Sequence, residues 1–239
     1  MSKVLVIIPT YNEKENIQAI IEAVLSQDHN YHVLVVDDGS PDGTAAIVKG
    51  LQTTTYKEEL HLLEREGKLG LGTAYIAGFR YGLDRGYDIL MEMDADFSHN
   101  PKDLPRLVAA LAQPETGMAV GSRYVKGGGF RNWDKYRLML SYGASIYTRI
   151  ITGMPVKDPT AGFVAYKRET LEKMDLDKIQ FIGYAFQIEM KYYCHKLGYK
   201  IQEVPITFID RELGVSKMNM SIVQEGILGV LKMRMRQYS

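Results

Sequence analysis

The sequence predicts an α/β chain with a mostly parallel central sheet and helices on both faces. Three observations carry this. Short apolar runs alternate with segments whose apolar residues recur at helical spacing. The runs at 4–8 and 33–36 are continuously apolar, as buried strands are. Polar, acid-bearing loops follow the first, second and fourth of these runs, where sheets of this class bind ligands beyond the carboxyl ends of their strands.

Taken in order, residues 4–8 give the first strand. Ile17, Ile20, Ile21, Val24 and Leu25 then mark a helix, and Asn12 with Glu15 three residues later resembles a capping box before it. Residues 33–36 form a second strand that runs into Asp37-Asp38-Gly39-Ser40-Pro41-Asp42-Gly43, a segment of turn formers. A short helix follows over 44–51, a third strand over 60–63 and a helix over 71–83. The fourth strand, 89–93, ends at Asp94-Ala95-Asp96. A helix over 104–111 and a brief strand over 118–120 complete the alternation.

The pattern changes after Gly121. Lys126-Gly127-Gly128-Gly129 reads as a flexible stretch, and residues 138–154 are apolar and aromatic at helical spacing. A strand over 162–166, a helix over 186–197, a strand over 204–209 and a final helix over 222–235 follow. With no internal repeat or low-complexity tract, the expectation is one domain over 1–239 with an elaborated C-terminal third.

Composition narrows the function classes. A chain of 239 residues suits one large domain or at most two small ones. At 46% apolar and 24% charged residues, disorder is excluded as the main state. Lys and Arg number 29 and Asp and Glu also 29, so the basic excess expected of a nucleic-acid binder is missing. The single cysteine, Cys194, excludes a disulfide framework within the chain and suits a reducing compartment. No apolar run approaches the roughly 20 residues of a membrane span, and the opening segment is too short for a signal peptide. A cytoplasmic location is expected.

The acid pairs carry the candidate chemistry. Asp94 and Asp96 leave an apolar strand together, and a turn there can bring both carboxylates to one Mg²⁺ or Mn²⁺. Alternatively, Asp96 or Ser98 caps the helix after Pro101. Asp37-Asp38 suits either a turn or hydrogen bonding to a nucleobase or ribose. Tyr11 and Glu13, after the first strand, can meet a base and a ribose, or serve as a rim aromatic and a helix-dipole partner. Gly67-Lys68-Leu69-Gly70-Leu71-Gly72 does not complete GxGxxG, since position 75 is Tyr75, and no P-loop or GxSxG elbow occurs. His99 reads as a solvated loop histidine beside the acids. Arg123, Arg137 (with Ser141 one turn on), Arg211 and Lys217 are candidate anion binders if they gather around one site.

Along nearly the whole chain the sequence resembles the family 2 glycosyltransferases, and within them the dolichyl- or polyprenyl-phosphate mannose synthases. PTYNEKEN (9–16), VVDDGSPDGT (35–44) and MDADFSHNP (93–101) mark the wider family. KLGLGTAY (68–75), GSRY (121–124), DPTAGF (158–163), FQIEM (186–190) and VPITFIDRELGVSK (204–217) resemble the phosphomannose branch. The resemblance implies a GT-A fold, Rossmann-like, with a nucleotide-sugar half over about 1–121 and acceptor and membrane-facing elements over about 122–239. It implies GDP-mannose as donor and a polyprenyl or dolichyl phosphate as acceptor; UDP-glucose or another nucleotide sugar, or a polysaccharide or protein acceptor, is the alternative. By motif, Pro9, Tyr11, Glu13, Val36 and Asp38 would hold the nucleoside. Asp94, Ala95 and Asp96 would sit at the diphosphate, with the two acids binding the metal. Arg211 and Lys217 would close over the donor, Arg123 would lie near the sugar and acceptor phosphate, and Arg137 with Ser141 would bind that phosphate. Asp96, Arg123 and Arg211 are the expected catalytic residues. Some relatives carry Gln as a further metal ligand where this chain has Ser98.

A phosphate acceptor has a second pKa near 6 and is already anionic at neutral pH, so no general base is required. The implied reaction is a single displacement with inversion. Leu138, Leu140, Ile146, Ile150 and Ile151, with the last helix (Ile222, Val223, Ile227, Leu228, Val230, Leu231, then Lys232, Arg234, Arg236), are either contacts with a membrane surface or helix faces packed on the core. Attachment is expected to be peripheral on the cytoplasmic face, or through a small membrane-anchoring partner.

Overall fold

The computed structural model describes residues 2–28, 30–183, 185–210, 220–236 and 238. In chain order it contains β1 (Val4–Thr10), α1 (Ile17–Leu25), β2 (Tyr31–Asp37), α2 (Thr44–Thr54), β3 (Leu60–Glu64), α3 (Leu71–Asp84), β4 (Ile89–Glu92), α4 (Leu104–Ala110) and β5 (Thr116–Ser122). There follow β6 (Gly129–Arg131), α5 (Lys135–Thr152), β7 (Val164–Lys167), α6 (Arg168–Lys173), α7 (Ala185–Lys196), β8 (Lys200–Pro205), β9 (Thr207–Ile209) and α8 (Met220–Met235).

Seven strands form the main sheet in the order β3-β2-β1-β4-β7-β5-β8. All neighbours are parallel except β7, which runs antiparallel to both β4 and β5. Side chains alternate across the sheet, so each strand feeds two cores. Leu5 and Ile7 pack on one face with Tyr75, Phe79 and Phe186. Val4, Val6 and Ile8 pack on the other with Ile17, Ile20, Leu104 and Leu107. Burial on both faces is why these strands read as unbroken apolar runs. Helix α3 lies very close to β1: a Cβ on Gly78 would stand 2.5 Å from the Ile7 side chain.

The reversed strand is what assembles one end of the molecule. Val164, which opens β7, pairs with Glu92 at the end of β4 and with Val120 near the end of β5. The chain therefore enters β7 at the carboxyl edge, and the 158–163 loop is delivered beside the loops that follow β4 and β5. A two-stranded ribbon of β6 and β9 lies over the same edge, where Ile209 N donates to Ser98 O at 3.3 Å.

Several local expectations are corrected. Asn12 and Glu15 do not box the first helix. Asn12 sits at φ 61 with its N–H on Ser40 Oγ (3.0 Å), and α1 starts only at Ile17. The 204–209 run breaks at Ile206, whose N–H turns to Ser122 O at 3.0 Å, giving two strands in two sheets. Gly129, expected in a flexible stretch, begins β6. Arg211 and Lys217 lie outside the described residues. Among the described residues no helix is long and apolar enough to cross a membrane.

Candidate active site

Two loops after β1 and β2 are laced together by short side chains. Asp37, fully buried, accepts from Thr10 Oγ1 (2.8 Å), from Ser40 N (2.8 Å) and from Ser40 Oγ (2.6 Å). It serves the turn. Glu13 N donates to Thr44 Oγ1 (3.1 Å) and Lys14 N to Asp42 Oδ2 (3.1 Å). Pro9, Tyr11 and Glu13 are half-buried along this rim. Lys68, from the KLGLG segment, stands over the Tyr11 ring at 5.1 Å. That segment is fixed by Gly70, at φ +101, and by Gly72 N on Ile182 O at 2.8 Å.

Asp38 is held by a residue that the sequence reading missed. Arg65, just beyond β3, donates from Nε to Asp38 Oδ1 at 2.6 Å and from Nη1 to Thr73 Oγ1 at 2.8 Å. A cation immediately after a strand end was the available signal. The Val36 side chain is fully buried with Tyr75 and Phe79.

The Asp94-Ala95-Asp96 turn leaves β4 towards solvent. The Asp94 side chain is 41% exposed, Asp96 is half-buried and Ala95 packs inward. Asp96 Oδ1 accepts from Ser98 N at 3.0 Å, and Phe97 adopts φ 59, a left-handed conformation unusual outside glycine. The following short helix is capped by Asn100, not by Asp96 or Ser98: Asn100 Oδ1 accepts from Lys102 N at 3.1 Å. His99 is buried rather than solvated. It stacks on Phe163 with ring centroids 4.9 Å apart, and its Nδ1 accepts from Asp94 N at 3.3 Å. Burial pushes its pKa down.

Beneath the turn lies a buried polar chain. Glu92 accepts from Tyr166 Oη (2.7 Å) and from Gln187 Nε2. Gln187 Oε1 accepts from Lys191 Nζ (3.1 Å), which also donates to Ala161 O (2.7 Å) in the 158–163 loop. Burial pushes Glu92 up and Lys191 down, and the opposite charge of each holds the other against that shift.

On the far side, Arg123 grips Asp158 through Nε (2.7 Å) and Nη2 (2.7 Å), and Nη2 also meets Thr160 Oγ1 at 2.9 Å. The pair is almost fully buried. Tyr124, Phe130, Trp133 and Phe208 surround the guanidinium at 5.5–5.7 Å. Arg123 is thus no loose arm: turning its paired edge to an acceptor would break the Asp158 contact. On α5, Arg137 pairs with Asp210 (2.7 Å) beside Trp133, and Ser141 accepts from Tyr124 Oη at 2.8 Å.

The DxD residues fit a hard divalent cation. Two carboxylates share one turn, and among the described residues no group of three His, Cys, Asp or Glu gathers as a metal cluster. Mg²⁺ is commonly held in this way, by one or two protein carboxylates with substrate phosphates and water completing the shell.

A reversed strand within a parallel sheet, an acid pair after β4 and laced loops after β1 and β2 define a GT-A glycosyltransferase fold. The chain belongs to glycosyl transferase family 2, whose pattern matches residues 5–175. It is 48% identical over 234 residues to the polyprenol monophosphomannose synthase of Mycolicibacterium smegmatis, covering 98% of this chain and 88% of that protein. To the undecaprenyl-phosphate mannosyltransferase of Micrococcus luteus it is 47% identical over 232 residues, covering 96% and 93%. Among solved structures, the glucosyl-3-phosphoglycerate synthase of Mycobacterium tuberculosis superposes with a TM-score of 0.69 at 19% identity, covering 97% of this chain and 80% of that one. A mannosyltransferase from Pyrobaculum calidifontis, in complex with GDP-Man and Mn²⁺, gives 0.61 at 22% identity, covering 94% and 60%. At these identities the structural likeness is one of fold.

Proposed function

We propose that this chain transfers mannose from GDP-mannose to a polyprenyl phosphate. The near full-length likeness to two enzymes named for that acceptor chemistry carries the proposal. An acceptor phosphate oxygen bonds to the anomeric carbon of the sugar, the bond from that carbon to the donor's diphosphate oxygen breaks, and GDP leaves with the electron pair. The configuration at that carbon inverts. The acceptor oxygen is already anionic near neutral pH, so no residue has to remove its proton.

Residues 1–121 would form the donor half. Pro9, Tyr11, Glu13 and Asp38 line the nucleoside rim, and Arg65 fixes Asp38. Asp94 and Asp96 would hold Mg²⁺ or Mn²⁺, which supplies positive charge to the departing diphosphate. Residues 122–239 would form the acceptor half. Arg123 shapes its wall through Asp158 and the four rings. Arg137, half-buried beside Asp210, and Ser141 one turn further on α5 would meet the acceptor phosphate. Arg211 and Lys217 would close on the donor.

The test is transfer of labelled sugar from GDP-mannose, UDP-glucose and UDP-GlcNAc to polyprenyl phosphate with Mg²⁺ or Mn²⁺. Lipid-linked product from GDP-mannose alone is expected. Asp96→Ala should lower turnover by at least about 100-fold, as expected when a group stabilising the leaving charge is lost. Near-normal turnover in that variant would remove the metal from the reaction.

A lipid acceptor requires a meeting with the bilayer. Tyr136, Met139, Tyr142, Ile146 and Ile150 are exposed along α5, and Leu228, Leu231 and Met235 along α8. Leu140 and Ile151 are only half-exposed and Val230 is buried, so the interfacial set is narrower than the sequence suggests. Arg236 is tied to Glu189 at 3.0 Å, which leaves Lys232 and Arg234 as the exposed cations of this helix end. These exposed apolar side chains support peripheral attachment through the two helices. Ile150→Glu with Leu228→Glu should leave the protein in the supernatant when anionic vesicles are pelleted. Unchanged pelleting would point instead to a separate anchoring partner.

A further inference from the structure

Tyr75 is the fifth residue of α3 and none of its surface is exposed. Its ring lies flat against Phe186 (centroids 6.0 Å apart, 8° between planes) and against Phe79 (6.4 Å, 22°). These contacts leave the ring one orientation. In that orientation the hydroxyl meets no hydrogen-bond partner at bonding distance among the described residues. The acceptor beside it is the Asp94 carboxylate, with Glu92 and Asp96 also near.

An unmet donor in a dry interior is costly, and a phenylalanine would fill the same space without that cost. The contrast with Tyr166 is direct, because that hydroxyl is satisfied by Glu92 at 2.7 Å. A stacked hydroxyl that meets no partner at full bonding distance, beside a cation-binding carboxylate, suits a group whose bond to that carboxylate tightens when the site is filled. Partners of this kind fix the orientation of metal ligands.

We propose that Tyr75 is a positioning residue for the divalent cation site, donating its hydroxyl proton as a hydrogen bond to Asp94 when that carboxylate holds the ion. It touches neither sugar nor phosphate and acts through Asp94. The inference rests on the assignment of Asp94 and Asp96 to the metal.

The experiment is a Mn²⁺ titration of the full chain with saturating GDP, followed by the electron paramagnetic resonance of free Mn²⁺, with thermal melting of the metal-free protein alongside. Tyr75→Phe should raise the Mn²⁺ dissociation constant about 10–100-fold. Its metal-free melting temperature should equal or exceed that of the wild type, since an unmet donor has been removed. Mn²⁺ affinity within twofold of wild type overturns the role of Tyr75 and leaves the metal assignment standing. A wild-type chain that takes up no Mn²⁺ overturns both. If Tyr75→Phe fails to fold, 3-fluorotyrosine at position 75 keeps the hydroxyl. Its fluorine resonance should move on adding Mg²⁺ and GDP to the protein and stay still in the Asp94→Asn background. A resonance unmoved by Mg²⁺ and GDP in the otherwise wild-type chain overturns the proposal.

Discussion

Two arginine–aspartate pairs sit at the carboxyl edge of the sheet, one in each half, and they do different work. Arg65 and Asp38 follow adjacent parallel strands, and both side chains are about a tenth exposed. The guanidinium spans Asp38 and Thr73, and Arg65 N donates to Asp37 O at 2.8 Å. It clips the loop after β2 to the start of α3. Arg123 and Asp158 belong to segments on either side of α5, and Asp158 has no exposure at all. Two parallel bonds and four aromatic rings enclose that pair. One pair is a clip between two loops at the sheet edge, and the other is a post enclosed by aromatic rings. A similar ion pair therefore does different jobs according to whether its surroundings are loops or rings.

The contrast can be broken by substitution, and the largest effect is expected at the post. Asp158→Ala would leave Arg123 charged and buried without its partner, which costs about 3–5 kcal/mol. Denaturant unfolding should show that loss, with transfer activity falling in step. Asp38→Ala removes a charge-assisted bond but leaves Arg65 its bond to Thr73, so about 1.5–3 kcal/mol is expected. Here GDP binding measured by calorimetry should weaken as well. Equal stability losses in the two variants would erase the distinction. The smallest effect is expected from Thr73→Val, which unhooks one arm of Arg65. A loss of about 0.5–1.5 kcal/mol with only a slight change in GDP affinity would show that Asp38, not Thr73, is the functional end of the clip.

What the sequence made legible follows the same division. The three loops after β1, β2 and β4 could be read because parallel, doubly buried strands leave unbroken apolar runs, and acids at their ends stand out. Asp94, Asp96 and Glu13 stand out in that way. The direction of β7 could not be read, since a four-residue apolar run carries no sign of which way it pairs. Without it, nothing placed Asp158 against Arg123. Tyr75 and Lys191 were hidden for another reason: a tyrosine and a lysine at helical spacing look like core and surface until their polar atoms are located. The capping-box spacing of Asn12 and Glu15 was present but was overruled by Ser40, whose hydroxyl draws the Asn12 backbone into a left-handed turn.

One consequence of the reversed strand reaches beyond this chain's own chemistry. Because β5 leaves the sheet at the edge where β7 enters it, everything from residue 123 to 163 is an excursion that departs and returns on the same side. An excursion of this kind can change in length while the strands beneath it keep their pairing. Grafting this stretch between relatives would test whether it sets what receives the sugar.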